Sequence, residues 1–156
     1  MEIAIRVAER KDRDDVVKLW IELMTMHADL DPRFAICDDA PAVFADFALD
    51  LIEGAETDIL CAWSGDRMVW FISVSIQISP PVLLLDRYGM VYDAVVTKEV
   101  RRGGIGAQLF DAAKEWFRNH GVSVVQLSVA VANPIAMGFW RKAGCRPFME
   151  RLWYDL

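Results

Sequence analysis

Residues 95–107, VVTKEVRRGGIGA, lead from an apolar strand through a basic, glycine-rich turn into a helix. A glycine turn that feeds a helix leaves several backbone N–H groups at the helix N-terminus without partners, and the helix dipole adds partial positive charge there. Arg101 and Arg102 add two full charges to the same turn. The stretch therefore predicts an anion site, most simply for a phosphate or pyrophosphate.

Two other phosphate-binding motifs are excluded by the residues around this turn. A P-loop requires Lys and then Ser or Thr directly after its last glycine, whereas Ala107 and Gln108 stand there. A dinucleotide fingerprint requires G-x-G-x-x-G after the first strand of a βαβ unit, but the third glycine is missing and the turn comes late in the chain. A nucleotide-binding module of either kind is therefore not expected.

The remaining pattern, R-x-x-G-x-G over residues 101–106, resembles the acyl-CoA-binding motif of the GNAT N-acetyltransferase superfamily. Residues 133–148, NPIAMGFWRKAGCRPF, resemble the second motif of that family, N-x-x-A-x-x-F-Y-x-x-x-G-F. Residues 5–19, IRVAERKDRDDVVKL, look like the usual opening strand and helix of the family. The resemblance implies one GNAT-like domain over residues 1–156, with acetyl-CoA as the acyl donor.

The resemblance also implies where acetyl-CoA binds. Backbone N–H groups of residues 102–107 would hold the pyrophosphate, and pantetheine would run beside the strand that ends at residues 95 and 96. Glycines in the turn suit this role because they have no side chain to block a close approach. The residues expected to contact acetyl-CoA are Val95, Val96, Thr97, Arg101, Arg102, Gly103, Gly104, Ile105, Gly106, Ala107, Asn133, Ala136 and Trp140.

Acyl transfer to an amine also requires a base, because a lysine-like ammonium group has a pKa of ~10.4 and must lose a proton before it attacks. Asp93, on the strand, and Glu99, after it, are the acidic candidates, and each has an alternative as a structural or solvated carboxylate. The resemblance implies that a backbone N–H near Val96 stabilises the oxyanion. The catalytic candidates are Asp93, Glu99, Tyr92 and Val96.

One position departs from the family in a way that bears on catalysis. The family often has a tyrosine after the Phe of its second motif, which protonates the leaving thiolate, and this chain has Trp140, whose indole N–H releases no proton usefully. Tyr92 or Tyr154 could replace it, or water could protonate the thiolate, since a thiol has a pKa of ~8.5. Cys145 also stands where the family has Phe after Gly144. A non-catalytic domain that binds or senses acyl-CoA is therefore the alternative function.

The bulk composition narrows the setting and the partners. The 156 residues, 54% of them hydrophobic, predict one folded domain, and no apolar run approaches the ~18 residues of a membrane span. The N-terminus has no signal-peptide pattern, and three widely spaced cysteines show neither zinc spacing nor a disulfide framework, which favours a reduced, cytoplasmic setting without a metal site. The net charge of −6 disfavours nucleic-acid binding. A homodimer is a further expectation.

The hydrophobic periodicity predicts a mixed α/β sheet with helices on both faces, antiparallel in its first half and β-α-β in its acyl-CoA-binding second half. Val43, Phe47 and Leu51 are expected to point inward from the second helix, and residues 82–85 are expected to be extended. The predicted strands are residues 2–8, 57–63, 68–78, 88–96 and 123–130, with one or two more in 146–156, and the predicted helices are 12–27, 42–55, 104–120 and 134–143.

Residues 29–58 contain nine acids and one base, Arg33. In the family this segment commonly borders the acceptor side of the cleft, whereas the cations of this chain lie in the turn that would hold the phosphates. An acidic entrance attracts cations, so the stretch predicts a cationic acceptor such as a polyamine, an aminoglycoside-like sugar or a basic peptide. Asp31, Asp38 and Asp39 are the expected contacts, and a solvated helix face is the alternative for the same acids.

Overall fold

The computed structural model describes residues 2–96 and 104–156, and a five-stranded sheet forms its centre. The strands lie in the sheet in chain order: the first four pair antiparallel, and the fourth pairs parallel to the fifth. The prediction of a mixed α/β sheet is confirmed. The strands are β1 Ala4–Val7, β2 Thr57–Ser64, β3 Arg67–Ile78, β4 Arg87–Val96 and β5 Val125–Leu127.

Helices cover both faces of the sheet, as predicted. In the described ranges they are α1 Arg13–Leu30, α2 Ala40–Glu53, α3 Ile105–Asn119 and α4 Pro134–Lys142. Adjacent strand residues point to opposite faces, so Ile59 and Phe71 pack under α1 and α2, whereas Leu60 and Ile72 pack under α3 and α4. None of these described helices is long and apolar enough to cross a bilayer.

β4 parts from β5 along its second half. Their paired residues end at Val91 and Leu127, whereas β4 continues to Val96. The sheet therefore opens beside the last five residues of β4, at the end where the chain proceeds towards α3. Parallel pairing of β5 over only three residues also explains why this strand is shorter than the predicted 123–130.

A β-bulge lies in β4 at the start of this opening. On β3, Ile72 pairs with Ala94 and Val74 pairs with Val91, so Ser73 alone lies opposite two residues of β4, Tyr92 and Asp93. A bulge of this kind breaks the strict alternation of side chains and re-aims those beside it. Tyr92 and Asp93 are consequently carried by an irregular stretch of the strand next to the gap.

Two other predictions of local structure are wrong. Residues 82–85 are not extended: the N–H of Leu83 bonds to the carbonyl of Pro80 at 3.0 Å, because the two prolines at 80 and 81 start a turn. Residues 146–156, all of them described, form neither strand nor helix. A strand requires a paired neighbour, and within this chain β5 remains the last strand of the described sheet.

The inward face of α2 also differs from the prediction. The helix begins at Ala40, and its buried stripe is Phe44, Ala48 and Leu51. Val43 is 61% exposed because it lies one position out of phase with this stripe. Phe47 is partly exposed as well, and its ring reaches Tyr92 of β4.

Candidate functional site

The described part of the predicted anion site is the N-terminus of α3, from Gly104 onwards. Gly104 precedes the helix with φ 75°, a left-handed conformation that glycine adopts without steric cost. The first helical donors are Ala107 and Gln108, which bond to the Gly104 carbonyl at 3.1 and 3.3 Å, so the N–H groups of Ile105 and Gly106 precede the hydrogen-bonded ladder. A methyl group at Gly104 would meet no described atom within 4 Å.

The absence of a side chain at Gly106 has a structural reason that the sequence did not indicate. A Cβ at this position would lie 1.9 Å from Cη2 of Trp70, on β3. The first turn of α3 therefore sits directly on the Trp70 indole. In this structure the glycine makes room for a protein side chain.

This contact gives a testable prediction for stability. Gly106→Ala should lower the free energy of unfolding by about 1–3 kcal/mol, because the indole must move to accept the methyl group. Gly138→Ala is the matched control, since a Cβ there meets nothing within 4 Å and lies inside α4, where alanine is favoured by roughly 0.5–1 kcal/mol. Urea unfolding of both variants measures the difference. Equal stability of the two variants would contradict the close contact of Gly106 with Trp70.

A narrow crevice lies between β4 and the helices of the α3 face. It is partly open to solvent and is formed by residues of β3, β4, α3 and α4. Trp140 is buried beside it, with its ring edge-on to Phe110 at 5.1 Å and to Phe139 at 4.8 Å. The lining residues are Trp70, Ile72, Ala94, Gly106, Leu109, Phe110, Phe139 and Trp140.

Two other predicted acetyl-CoA contacts lie at the start of α4. Asn133 caps the helix, since its Oδ1 accepts a hydrogen bond from the Ala136 N–H at 3.1 Å, and Pro134 follows it as the first helical residue. Ala136 packs against the hydrophobic cluster under α3. The second motif therefore fixes the position of α4 and places Trp140 at the crevice.

Asp93 lies on the opposite face of β4 from the crevice. Ile72 and Val74 both belong to the cluster under α3, so Ser73 between them points towards α1 and α2. The Asp93 N–H donates to Ser73 Oγ at 2.9 Å, which ties the bulge to this buried serine. Burial raises the pKa of Asp93 to about 6, although a hydrogen bond from Ser73 to the carboxylate acts in the opposite direction.

A carboxyl group with a pKa near 6 is suited to accept a proton at neutral pH. Ala94, the next residue, lines the crevice on the other face. The bulge therefore brings a candidate base and the candidate donor channel within one residue of each other along β4.

Tyr92 is held on the α2 side and points along β4 towards the start of the strand. Its ring meets Phe47 edge-on at 5.9 Å between centroids, and its hydroxyl accepts a hydrogen bond from Gln77 Nε2 at 2.9 Å. Gln77 pairs with Tyr88, four residues before Tyr92. The hydroxyl is thus directed away from Val96, which suits a wall of the acceptor side better than a proton donor at the end of the strand.

Several other predicted site residues either lie outside the described residues or lie away from the crevice and Asp93. Thr97, Glu99, Arg101, Arg102 and Gly103 lie outside the described residues, and only the backbone of Val96 is described. Val95 is buried under α1 and α2, and Ile105 is buried at the start of α3. Tyr154 lies in the exposed segment 146–156, so the structure does not bring it to Asp93 or the crevice.

The three acidic acceptor candidates all lie in the segment that joins α1 and α2. Asp31 is paired with Arg33 at 2.6 Å, and this contact lowers the pKa of its carboxyl to about 2. Asp38 and Asp39 are exposed just before α2. The C-terminal end of α2 leads into β2. Thr57, the first residue of β2, pairs with Ser75, which pairs with Met90 near the start of β4. The N-terminal end of α2 and the loop before it therefore lie towards the opposite end of the sheet, where β4 ends.

Sequence reasoning missed the polar residues on the α2 face of β3. Ser73 and Ser75 are buried, and Gln77 Nε2 bonds to Ser75 Oγ at 2.8 Å as well as to Tyr92. The signal was present as the alternation S-x-S-x-Q inside the apolar strand, which marks a polar track on one face. That track lies directly beneath Tyr92 and Asp93.

The comparisons with known proteins identify the family and the fold. The model of the family described as "Acetyltransferase (GNAT) family" matches residues 20–145, so the chain belongs to that family. A curated relative, the uncharacterized N-acetyltransferase YobR of Bacillus subtilis (strain 168), is 33% identical over 69 residues. That alignment spans 44% of this chain and 28% of the relative.

Solved structures with the same fold match nearly the full length of the chain. The tetramutant of the BH1408 protein from Bacillus halodurans superposes with a TM-score of 0.85 at 20% identity, covering 98% of this chain and 99% of that one. Aminoglycoside 6'-N-acetyltransferase AAC(6')-IG from Acinetobacter haemolyticus gives 0.77 at 16% identity, over 98% and 97%. AAC(6')-Iy in complex with the bisubstrate analogue CoA-S-monomethyl-acetylneamine gives 0.76 at 16% identity, over 100% and 99%.

Proposed function

We propose that the chain transfers an acetyl group from acetyl-CoA directly to the primary amine of a cationic small molecule or peptide. The observation that carries this proposal is the bulge in β4, where the half-buried carboxylate of Asp93 and the crevice lined by Ala94 lie on opposite faces of one strand. The donor would lie along β4 beside the crevice and reach the α3 N-terminus, and the acceptor would approach from the α2 side. The cytoplasm is the proposed location, and residues 1–156 are proposed to form one domain.

Deprotonation of the amine and stabilisation of the oxyanion each have a candidate group on this chain. Asp93, directly or through water, takes a proton from the acceptor ammonium, and the neutral nitrogen attacks the thioester carbonyl carbon. A backbone N–H near Val96 donates to the oxygen that gains negative charge, which is worth roughly 3–4 kcal/mol when such a donor is well positioned. The nitrogen of the tetrahedral intermediate then loses its second proton to solvent as the C–S bond breaks, and solvent protonates the departing thiolate, whose thiol has a pKa of ~8.5.

The cysteines support direct transfer over an acyl-enzyme. A nucleophilic cysteine requires a lowered pKa. Burial raises the pKa of the Cys61 and Cys145 thiols, and a hydrogen bond with Asp39 raises that of Cys37. These are the three cysteines of the chain, so none has the electrostatic surroundings of an acyl-accepting thiolate.

The acceptor class is proposed from the groups on the α2 side. Asp38 and Asp39 are exposed at the start of α2, and Phe47 and Tyr92 form an aromatic wall beside Asp93. Carboxylates and aromatic faces both attract organic cations. The fold neighbours named as aminoglycoside acetyltransferases act on amine-rich sugars, which belong to this class.

Release of free CoA thiol in the presence of a panel of amines tests the function. We expect release with polyamines, aminoglycosides or basic peptides, with a catalytic efficiency that exceeds that for neutral amines and falls as salt shortens the ~10 Å screening length at 0.1 M. Asp38→Lys/Asp39→Lys should reduce the efficiency about tenfold at low salt. The control Asp111→Lys/Glu115→Lys changes the charge equally on exposed positions of α3, on the other face of the sheet.

Two outcomes would contradict the proposal. Binding of acetyl-CoA without thiol release for any amine would favour the alternative of a non-catalytic acyl-CoA-sensing domain. A preference for acidic acceptors, or equal effects of the two double substitutions, would show that Asp38 and Asp39 belong only to a solvated surface.

A further inference from the structure

The side chain of Gln77, on the α2 face of β3, is held in one orientation between two hydroxyl groups. Its Nε2 donates to Ser75 Oγ at 2.8 Å and to the Tyr92 hydroxyl at 2.9 Å. Ser75 Oγ uses its own hydrogen on the carbonyl of Ile76, at 3.3 Å, so its oxygen accepts from Gln77. This settles which end of the amide carries the nitrogen, because an amide oxygen beside Ser75 would meet no donor there.

The arrangement leaves two hydrogen-bonding groups for a ligand. Both hydrogens of Gln77 Nε2 are used, and among the described residues no group donates to Gln77 Oε1. The Tyr92 oxygen accepts from Gln77, so its own hydrogen remains to donate. Tyr92 is 45% exposed and Gln77 is partly exposed, so both groups can be reached from solvent. The pair presents one acceptor and one donor, separated only by the Gln77 amide group.

A hydroxyl group fits this pair better than the other polar groups of a cationic acceptor. A hydroxyl donates to Gln77 Oε1 and accepts from Tyr92 through a single oxygen atom. An ammonium group has donors only, so it would leave the Tyr92 hydrogen without a partner. The N–H and C=O of a trans peptide group point in opposite directions, so one peptide group does not meet both members of the pair.

The surroundings of the pair favour a hydroxyl that is carried on a ring. The rings of Phe47 and Tyr92 meet edge-on at 5.9 Å, and both are partly exposed, so they border the pair with flat apolar surface. Binding sites for small molecules combine such apolar walls with a few fixed polar groups. A sugar ring has apolar C–H faces and hydroxyl groups around its rim, which matches an aromatic wall beside a hydrogen-bonding pair.

The register of the sheet sets the length of such an acceptor. Ser73 lies opposite Asp93, and Gln77 lies four residues further along β3, which is about 13 Å at ~3.3 Å per residue. The Tyr92 hydroxyl meets Gln77 between these points. An amine at Asp93 and a hydroxyl at the pair are therefore separated by on the order of 10 Å. Two linked sugar rings span this distance, whereas a single ring is too short.

We propose that Gln77 and Tyr92 determine the specificity of the acceptor side, and that they select an amino sugar of at least two rings by binding one of its hydroxyl groups. The inference rests on the proposed acetyl transfer and narrows its acceptor class. Polyamines and basic peptides satisfy the acidic residues before α2 but do not satisfy the pair. Gln77 also acts as a positioning residue, because it directs the Tyr92 hydroxyl.

The two-ring amino sugar neamine and the polyamine spermidine are the probes, because both are polycations and only neamine carries hydroxyl groups. Neamine should give the higher kcat/KM for release of CoA thiol. Tyr92→Phe removes the hydroxyl and keeps the ring against Phe47, so it should raise KM for neamine about tenfold, with kcat and the KM for spermidine within about twofold of the wild type. Gln77→Leu should have the same selective effect, and the double variant should lose less than the two effects combined, since both residues bind the same hydroxyl.

Tyr154→Phe is the matched control, because it makes the same chemical change on an exposed tyrosine of segment 146–156 and should change neither KM. High salt separates the pair from the acidic residues, since it screens charges and leaves the effect of Tyr92→Phe on neamine unchanged. Equal losses for neamine and spermidine in Tyr92→Phe would show a purely structural role and overturn the inference. A wild type that prefers spermidine or trilysine to neamine would overturn it as well.

Calorimetry of neamine binding distinguishes a failure of this inference from a failure of the proposed function. The Kd of neamine should rise about tenfold in Tyr92→Phe, and this measurement requires no turnover. A protein that binds neamine through the pair but releases no thiol would contradict acetyl transfer and support the pair as a binding site. Thiol release from neamine with an unchanged Kd in Tyr92→Phe would support acetyl transfer and overturn the role of the pair.

Discussion

Asp93→Asn is expected to lower the turnover of acetyl transfer by about 100-fold or more, with acetyl-CoA affinity unchanged. Removal of a general base typically costs 10²–10⁴-fold in rate. Asparagine keeps the size of the side chain and the backbone N–H that donates to Ser73 at 2.9 Å, so the bulge should persist. Steady-state kinetics, with calorimetry of acetyl-CoA binding, measures both quantities.

The pH dependence identifies the titrating group. Because the pKa of Asp93 is raised to about 6, the carboxylate needed as base is lost as the pH falls through that value, and kcat/KM of the wild type should fall with it. Ser73→Ala removes a hydrogen bond that favours the ionised form, so it should move this limb to higher pH. An Asp93→Asn enzyme with wild-type turnover would assign the base to another group, with Glu99 as the next candidate.

The Asp93 carboxyl group should also affect how the free energy of unfolding depends on pH. An aspartate whose pKa rises on folding is harder to ionise in the folded state, so the wild type loses stability as the pH rises from about 4 to about 6 and does not regain it above. Asp93→Asn removes this cost. Its stability relative to the wild type should therefore increase by up to about 3 kcal/mol between pH 4 and pH 8, measured by urea unfolding.

The second large effect is expected at the N-terminus of α3. Ala107→Glu should weaken acetyl-CoA binding about 10- to 100-fold, because it places a carboxylate beside the N–H groups that would hold the pyrophosphate. Ala107 is exposed, so the longer side chain fits without repacking. A glutamate in the first helical turn stabilises the helix by roughly 0.3–1 kcal/mol, so any loss of binding cannot be attributed to unfolding.

Ala107→Gln is the matched control, since glutamine has the same shape without the charge. Calorimetry should show that Ala107→Gln binds acetyl-CoA with near wild-type affinity. Ala107→Glu should bind it more weakly, and the difference should shrink at high salt. Equal affinities for the two variants would place the phosphates elsewhere. The glycine turn would then have only a structural role, in which Gly106 makes room for the Trp70 indole.

The parts of the site that the sequence predicted are those set by local rules. Gly104 precedes α3 with a positive φ, and Asn133 caps α4. Both features depend only on a few adjacent residues. The contact of Gly106 with Trp70, the tie of Asp93 to Ser73 and the direction of Tyr92 depend on the register between β3 and β4. That register includes a bulge, and no pattern along a single strand reveals which residues lie opposite each other.

The failures of the strand predictions have a related cause. Residues 146–156 have the composition of a strand, and residues 123–130 have its periodicity, but a strand exists only where a neighbour pairs with it. β5 ends where β4 departs from it. Likewise, the outward placement of Val43 follows from a shift of one position in α2, which rotates a helical stripe by about 100°.

The bulge at Tyr92 and Asp93 shifts by one residue the alternation of β4 side chains between the two faces of the sheet. Val91 and Ala94 both face the α3 side, which strict alternation would forbid. Deleting one residue between them would restore strict alternation and leave a single side chain on the α2 side in place of the pair Tyr92 and Asp93. An insertion or deletion between Val91 and Ala94 therefore changes which side chains the bulge presents, even where the sequence on either side of it is unchanged.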